Sequence, residues 1–128
     1  MHRTDLTISS TVARYPRAPY GEIKRAVLSS RYHVSLSFVG RARARAYNQA
    51  HRGKSYVPNV LSFPLDRSMG EIIICPEIAK REAPKFNLTY TGYVTYLFIH
   101  GLLHLKGYDH GATMEKLEAR YKRQFNVV

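Results

Sequence analysis

The sequence predicts an α+β domain in which a small four-stranded mixed sheet is packed by helices, in a three-layer α/β/α-like arrangement. Three observations support this fold class. The length of 128 residues suits one domain. Hydrophobic residues make up 45% of the chain, enough to bury a core without disulfides. Strand-like and helix-like segments follow one another in the order β-α-β-α-β-β-α-α, so we expect residues 1–128 to form a single domain.

The first half of the chain alternates short strands with helices. Residues 6–9 predict a first strand, and apolar residues at helical spacing after Pro19 predict a helix that ends near Ser30. Residues 33–39 alternate apolar side chains with serine, a pattern typical of a half-buried strand. The following stretch, residues 41–52, is rich in Ala, Arg and Gln and therefore favours a second helix.

Two further strands are predicted in the middle of the chain. Residues 60–63 lie between prolines and predict a third strand that is bounded by Pro64. Three consecutive isoleucines, residues 72–74, predict a central strand buried on both faces. Pro76 marks the end of that strand because proline cannot donate to the ladder.

Two helices complete the predicted fold. Residues 88–105 predict a long, largely buried helix, and Gly107 ends it because glycine tolerates a left-handed conformation. Tyr93 and Tyr96 lie on this helix and are expected to be core residues. Residues 113–125 predict a last helix with an apolar stripe.

The charge of the chain points to a polyanionic partner. Twenty Lys and Arg oppose nine Asp and Glu, which gives a net charge of +11 with neutral histidines. Aromatic residues make up 12% of the chain, which excludes a disordered polycation. A basic folded domain suggests RNA, DNA or an anionic membrane surface as partner, with a merely solvated face as the alternative.

The sequence also predicts a cellular location. Residues 93–105 are the longest apolar run, and they fall short of the roughly 20 residues that a membrane span needs. No apolar stretch behind Met1 resembles a signal peptide, and a lone cysteine, Cys75, cannot form an internal disulfide. We therefore expect a cytoplasmic protein that does not enter membranes, with Cys75 a small buried side chain.

Three histidines near the end of the long helix form a candidate metal site. His100 and His104 are four residues apart, so both imidazoles lie on one helix face. Gly107 allows the chain to turn and bring His110 back to the same ion. A single histidine here is more often a core residue bonded to a carbonyl, but three at this spacing favour a metal. Three ligands leave a fourth tetrahedral position for water, which is typical of catalytic zinc.

The same spacing occurs in zinc peptidases of the H-E-x-x-H type, but one residue argues against peptide hydrolysis. Gly101 follows the first histidine, where those enzymes have the glutamate that activates the water. A metallohydrolase acting on peptides or small molecules is therefore a minor alternative, further weakened by the positive charge of the chain.

The motif HGLLHLKGYDH, residues 100–110, resembles the signature of the YbeY family of bacterial rRNA-maturation endoribonucleases. The similarity runs from about residue 45 to residue 118 and includes further matching blocks. Only residues 55–58 depart from the family pattern within this region. The matching blocks are RGK at 52–54, NVLSFP at 59–64, GEIIIC at 70–75, Met114, Glu115 and Glu118.

The resemblance implies a single-strand-specific, metal-dependent endoribonuclease that matures the 3′ end of 16S rRNA and takes part in ribosome quality control. It implies that His100, His104 and His110 hold one divalent ion, Zn²⁺ first and Ni²⁺ as the alternative. The implied partners are rRNA, the small ribosomal subunit, and ribosomal proteins or an assembly GTPase, with the protein a monomer or weak dimer. A ribosome-assembly or RNA-binding factor with a mainly structural metal is the competing interpretation.

Arginines on the predicted second helix complete the set of candidate site residues. Arg41, Arg45 and Arg52 fall with Asn48 on one narrow stripe of this helix, because steps of four, three and four residues return to nearly the same angle. Arg41 and Arg45 are candidates for phosphate contacts with RNA, with a solvated helix edge as the alternative. Arg52 alone could be an ordinary surface arginine, but the resemblance makes it the candidate catalytic residue. Its guanidinium would stabilise the charge that develops on the phosphate.

Overall fold

A mixed β-sheet organises residues 5–128, the part of the chain that the computed structural model describes. Its strands are β1 (Leu6–Ser10), β2 (His33–Phe38), β3 (Val60–Asp66) and β4 (Met69–Ile74). The strand order is β1-β2-β4-β3, with β1, β2 and β4 parallel and β3 antiparallel to β4. The predicted four-stranded mixed sheet is thus confirmed within the described residues.

Helices pack on both faces of this sheet: α1 (Tyr20–Val27), α2 (Arg41–Arg52), α3 (Pro76–Glu82), α4 (Tyr90–Leu105) and α5 (Ala112–Gln124). Successive isoleucines of β4 point to opposite faces and enter two different cores. Ile72 and Ile74 belong to the larger core, together with residues of α1, α4 and α5. Ile73 belongs to a smaller core with Ala44 of α2 and Ile78 of α3. The predicted α+β fold with a central strand buried on both faces is therefore confirmed.

The structure differs from the sequence-based expectation at the end of β3, at the end of α1 and in an additional helix, α3, each for an identifiable reason. β3 continues through Pro64 to Asp66, because β3 is an edge strand and tolerates a residue without an N–H. Pro76 ends β4 and also begins α3, which sequence reasoning missed; proline is favoured at the first helical position. α1 ends at Val27 rather than near Ser30, because Leu28 is already extended.

A short 3₁₀ helix, Ala83–Phe86, connects α3 to α4. α4 begins at its N-cap Thr89, whose hydroxyl accepts a hydrogen bond from the Gly92 amide at 3.0 Å. This long helix packs against β3, β4, α1 and α5, and so carries its last two turns to the sheet edge formed by β3. Among residues 5–128, no helix combines the length and apolar character that crossing a bilayer requires.

Candidate metal centre

The three predicted histidines converge at the C-terminal end of α4. His100 and His104 lie on its last two turns, and His110 returns after a turn in which Gly107 has φ 109°. One ring nitrogen from each histidine lies within 4.8 Å of the other two. The Nε2 atoms of His100 and His104 are 3.1 Å apart, close to the roughly 3.3 Å expected for two nitrogens on one tetrahedral zinc. The donor set therefore fits a divalent metal.

Hydrogen bonds at Nδ1 aim two of these imidazoles. His100 donates from Nδ1 to Oε2 of Glu118 at 2.6 Å, and His104 donates from Nδ1 to the carbonyl oxygen of Tyr108 at 3.0 Å. Carboxylate and carbonyl oxygens accept, so Nδ1 of each ring carries the proton and Nε2 keeps its lone pair. Such outer contacts fix the tautomer and orientation of metal-binding histidines.

Burial and local charge favour the neutral form of His104. Burial lowers the pKa of His104 below its usual value, and the neighbouring His100 lowers it further. The backbone contact to Tyr108 acts in the opposite direction but does not reverse the shift. A neutral imidazole is the form that binds metal, so the lowered pKa of His104 favours the form of this side chain that can act as a ligand.

Close packing between α4 and the sheet holds the centre in place. A Cβ atom on Gly101 would lie 3.1 Å from Cδ1 of Ile72, tighter than an ordinary contact, so glycine favours this close approach of the helix to β4. Ser62 of β3 donates its hydroxyl hydrogen to the carbonyl oxygen of Gly101 at 2.8 Å. Position 101 therefore faces the sheet, and a glutamate there would have to enter the packed interface.

The centre opens into a cleft of about 620 Å³ between α4 and the segment that joins α2 to β3. Arg52 lies in this cleft with all three histidines, so the structure brings four of the predicted site residues together. Its guanidinium donates to the Tyr56 hydroxyl at 2.7 Å and to Oδ1 of the buried Asn48 at 3.4 Å. Asn48 also donates to the Tyr56 carbonyl at 3.0 Å, which ties the loop to α2.

The other two predicted arginines lie outside this lining. Arg41 pairs with Glu77 at 3.3 Å, and Arg45 is exposed on α2. Contacts of both with RNA phosphates remain predictions. Cys75 is 1% exposed between β4 and α3, as expected of a small core residue.

Two further groups at the site escaped sequence reasoning as functional residues. In the sequence, Glu118 is one residue of a matching family block, and in the structure it is the hydrogen-bond partner of the candidate ligand His100. His51 stacks on Phe63 with ring centroids 4.1 Å apart, and both rings line the cleft. The sequence gives one sign of a role for these two rings: His51 directly precedes Arg52, and Phe63 belongs to the matching block NVLSFP.

The fold and the site together define a class: a small α+β protein whose candidate metal centre has three histidine ligands and opens to a cleft containing an arginine. The family model described as Endoribonuclease YbeY matches residues 9–126. The chain therefore belongs to the YbeY family. The match begins well before residue 45, where the resemblance in motifs begins.

Individual relatives agree with this membership. The chain is 39% identical over 100 residues to Endoribonuclease YbeY of Bdellovibrio bacteriovorus, covering 77% of this chain and 64% of the relative. It is 39% identical over 89 residues to the Methylobacillus flagellatus protein of the same name, covering 67% and 60%. The aligned chain thus spans somewhat less than two thirds of the length of these relatives.

A solved structure supports the fold. The solution structure of TM1509 from Thermotoga maritima superposes with a TM-score of 0.66 at 27% identity. The match covers 94% of this chain and 88% of that one.

Proposed function

We propose that this protein is a metal-dependent endoribonuclease that cleaves single-stranded RNA. The observation that carries the proposal is the convergence of three imidazoles, two of them oriented by hydrogen bonds, beside Arg52 in one cleft. The net charge of +11 suits a polyanionic substrate. The names of the relatives, endoribonucleases, favour RNA cleavage over another hydrolytic reaction.

His100, His104 and His110 would hold one divalent ion, with Zn²⁺ the first assignment and Ni²⁺ the alternative because imidazole suits both. When bound, such an ion lowers the pKa of a coordinated water to about 7 and attracts phosphoryl oxygens. Glu118 and the Tyr108 carbonyl keep two of the ligand rings oriented.

Arg52 would bind the phosphate that is cut. Its guanidinium, restrained by Tyr56 and Asn48, enters the cleft that the histidines line. Charge on the phosphoryl oxygens increases in the transition state, so a fixed cation there accelerates cleavage more than it strengthens substrate binding. Arg41 and Arg45 would add phosphate contacts farther along the strand.

In the cell, the substrate would be the 3′ end of 16S rRNA during its maturation, and the same activity would serve ribosome quality control. The partners would be the small ribosomal subunit and ribosomal proteins or an assembly GTPase. The protein would act in the cytoplasm as a monomer or weak dimer.

The test separates metal binding from cleavage with two variants. We expect His104→Ala to lose both bound metal and cleavage of single-stranded rRNA. We expect Arg52→Ala to keep its metal but to cleave about 100- to 1000-fold more slowly, the usual effect of removing one transition-state contact. Arg67→Ala, at the exposed β3–β4 turn, removes the same charge elsewhere and should cleave normally.

Elemental analysis and an RNA cleavage assay with and without chelator give the measurements. Cleavage by His104→Ala at the wild-type rate would overturn the site assignment. A wild type that binds RNA but shows no metal-dependent turnover, while His104→Ala loses thermal stability, would instead support an assembly factor with a structural metal. The chemical nature of the new 3′ ends tells whether water or the ribose 2′-OH attacks.

A further inference from the structure

A row of aromatic rings leads from the protein surface to the metal ligand His100. Phe86 is 57% exposed and stacks face to face on Tyr93, with centroids 5.1 Å apart and planes 13° apart. Tyr93 lies nearly parallel to Tyr96 at 6.1 Å. Tyr96 lies 6.0 Å from His100, so the row ends at the centre itself.

A side pocket of about 230 Å³ lies along this row. It is lined by Phe86, Tyr93 and Tyr96, and it shares Asn59, Val60 and His100 with the cleft of the metal centre. A strand bound at the centre can therefore continue past these shared residues towards Phe86, the exposed end of the row.

Burial and hydrogen bonds hold the middle of this row of rings in place. Tyr93 is 2% exposed and donates its hydroxyl hydrogen to Oε1 of Glu82 at 2.9 Å. Asn59, which lines the cleft, donates to the same oxygen at 2.9 Å, so Glu82 links Tyr93 to the cleft wall. Burial first, and Glu82 second, raise the pKa of Tyr93, so its hydroxyl remains a donor. A preorganised ring loses little conformational entropy when a ligand stacks on it.

The charges around the row favour a base over a phosphate. Lys122 is close to Tyr96, with Nζ 5.2 Å from the ring centroid. Lys122, Glu115 and Glu118 line a second groove that also borders Phe86 and Tyr96. Two carboxylates beside one ammonium group do not attract a phosphate. Exposed apolar side chains are ordinary when scattered singly, but Phe86 caps a continuous row beside a candidate nuclease centre. Stacking on aromatic rings is how proteins hold bases of single strands without regard to sequence.

We propose that Phe86, supported by Tyr93 and Tyr96, is a stacking platform for one nucleobase of the single-stranded RNA that is bound at the metal centre. This inference rests on the proposed function, because it places a base of that substrate. It gives a structural reason for a preference for single strands, since a base inside a duplex presents no free face to a ring.

The test uses the full chain and short single-stranded RNA. Phe86→Ala should weaken binding of a short 2′-O-methyl RNA, checked to be intact after the measurement, about five- to hundredfold, the range found when one stacked base loses its aromatic partner. Phe86→Tyr should bind like the wild type, because a ring is retained. The control is Leu65→Ala near the end of β3, an apolar side chain that is 53% exposed, and it should leave binding unchanged.

An abasic scan identifies the contact. RNA lacking one base at successive positions should bind the wild type more weakly at one position, and Phe86→Ala should abolish the difference at that position alone. In cleavage, KM should rise with little change in kcat. Equal RNA affinity of Phe86→Ala and the wild type would overturn the inference, because the exposed ring would then make no contact with the RNA.

The two proposals fail in different ways. Cleavage by the wild type with no effect of Phe86→Ala on binding or KM removes the platform and leaves the nuclease. Binding that depends on Phe86, in a wild type without metal-dependent cleavage, removes the nuclease and leaves the platform.

Discussion

Removing the carboxylate of Glu118 should weaken metal binding even though Glu118 is not among the three candidate ligands. The carboxylate accepts a hydrogen bond of 2.6 Å from Nδ1 of His100. The two side chains are only 17% and 12% exposed, so water cannot readily replace the lost contact. Without it, the imidazole of His100 can rotate or present the other nitrogen to the ion.

The size of the effect follows from the strength of this contact. A hydrogen bond to a charged group contributes about 1.5–3 kcal/mol, and losing such an outer partner typically costs 10- to 100-fold in metal affinity. Glu118→Gln keeps an acceptor oxygen but loses the charge, so we expect its Kd for Zn²⁺ to rise about tenfold. Glu118→Ala loses both, and its Kd should rise towards 100-fold.

Competition with a chromophoric zinc chelator near neutral pH measures this affinity. The matched control is Glu115→Gln, which removes the same charge from an exposed position one turn earlier on α5. Its affinity should equal that of the wild type. If Glu118→Gln and Glu118→Ala bind zinc as tightly as the control, the proposed orientation of His100 by Glu118 is wrong.

Two further predictions concern packing and protonation at the same centre. Gly101→Ala should destabilise the fold by about 1–3 kcal/mol, because its methyl group would meet Ile72 at 3.1 Å. Gly21→Ala, whose methyl group would meet only the flexible Arg25 side chain at 3.5 Å, should be neutral or stabilising in urea unfolding, and equal losses for both would contradict this reasoning. In the metal-free protein, the His104 ring should titrate below pH 6.5 by NMR, because burial and then His100 lower its pKa. The His104 imidazole thus binds a proton less readily in the folded protein than in the unfolded chain, so the free energy of unfolding should fall as the pH drops below 6.5. A measured pKa of His104 at or above 6.5 would refute the shift.

The sequence allowed the centre to be predicted because its ligands are encoded locally. A helix places residues four apart on one face, and a glycine permits the turn that returns His110, so His100, His104 and His110 could be grouped without tertiary information. Their convergence in the structure confirms that grouping as geometry. The fold class was equally accessible, since β4 and α4 have long apolar runs.

Features that depend on tertiary packing could not be predicted. Glu118 meets His100 across 18 residues because α5 folds back on α4, and no local pattern encodes that contact. Phe86 reaches Tyr93 only through the connection between α3 and α4, and α3 itself was missed because Pro76 serves both as strand end and helix start. In each case the residue types were visible, but the neighbours were not.

The edge strand β3 has two halves with different consequences for how the protein contacts other chains. Val60 to Phe63 pair regularly with β4 and line the cleft. Beyond them, Pro64 lacks a donor and the register shifts before Asp66. An irregular border of this kind resists the addition of a foreign strand, which limits aggregation at a sheet margin. The protein can thus keep one stretch of its rim accessible to an incoming polymer while the adjoining stretch discourages self-association.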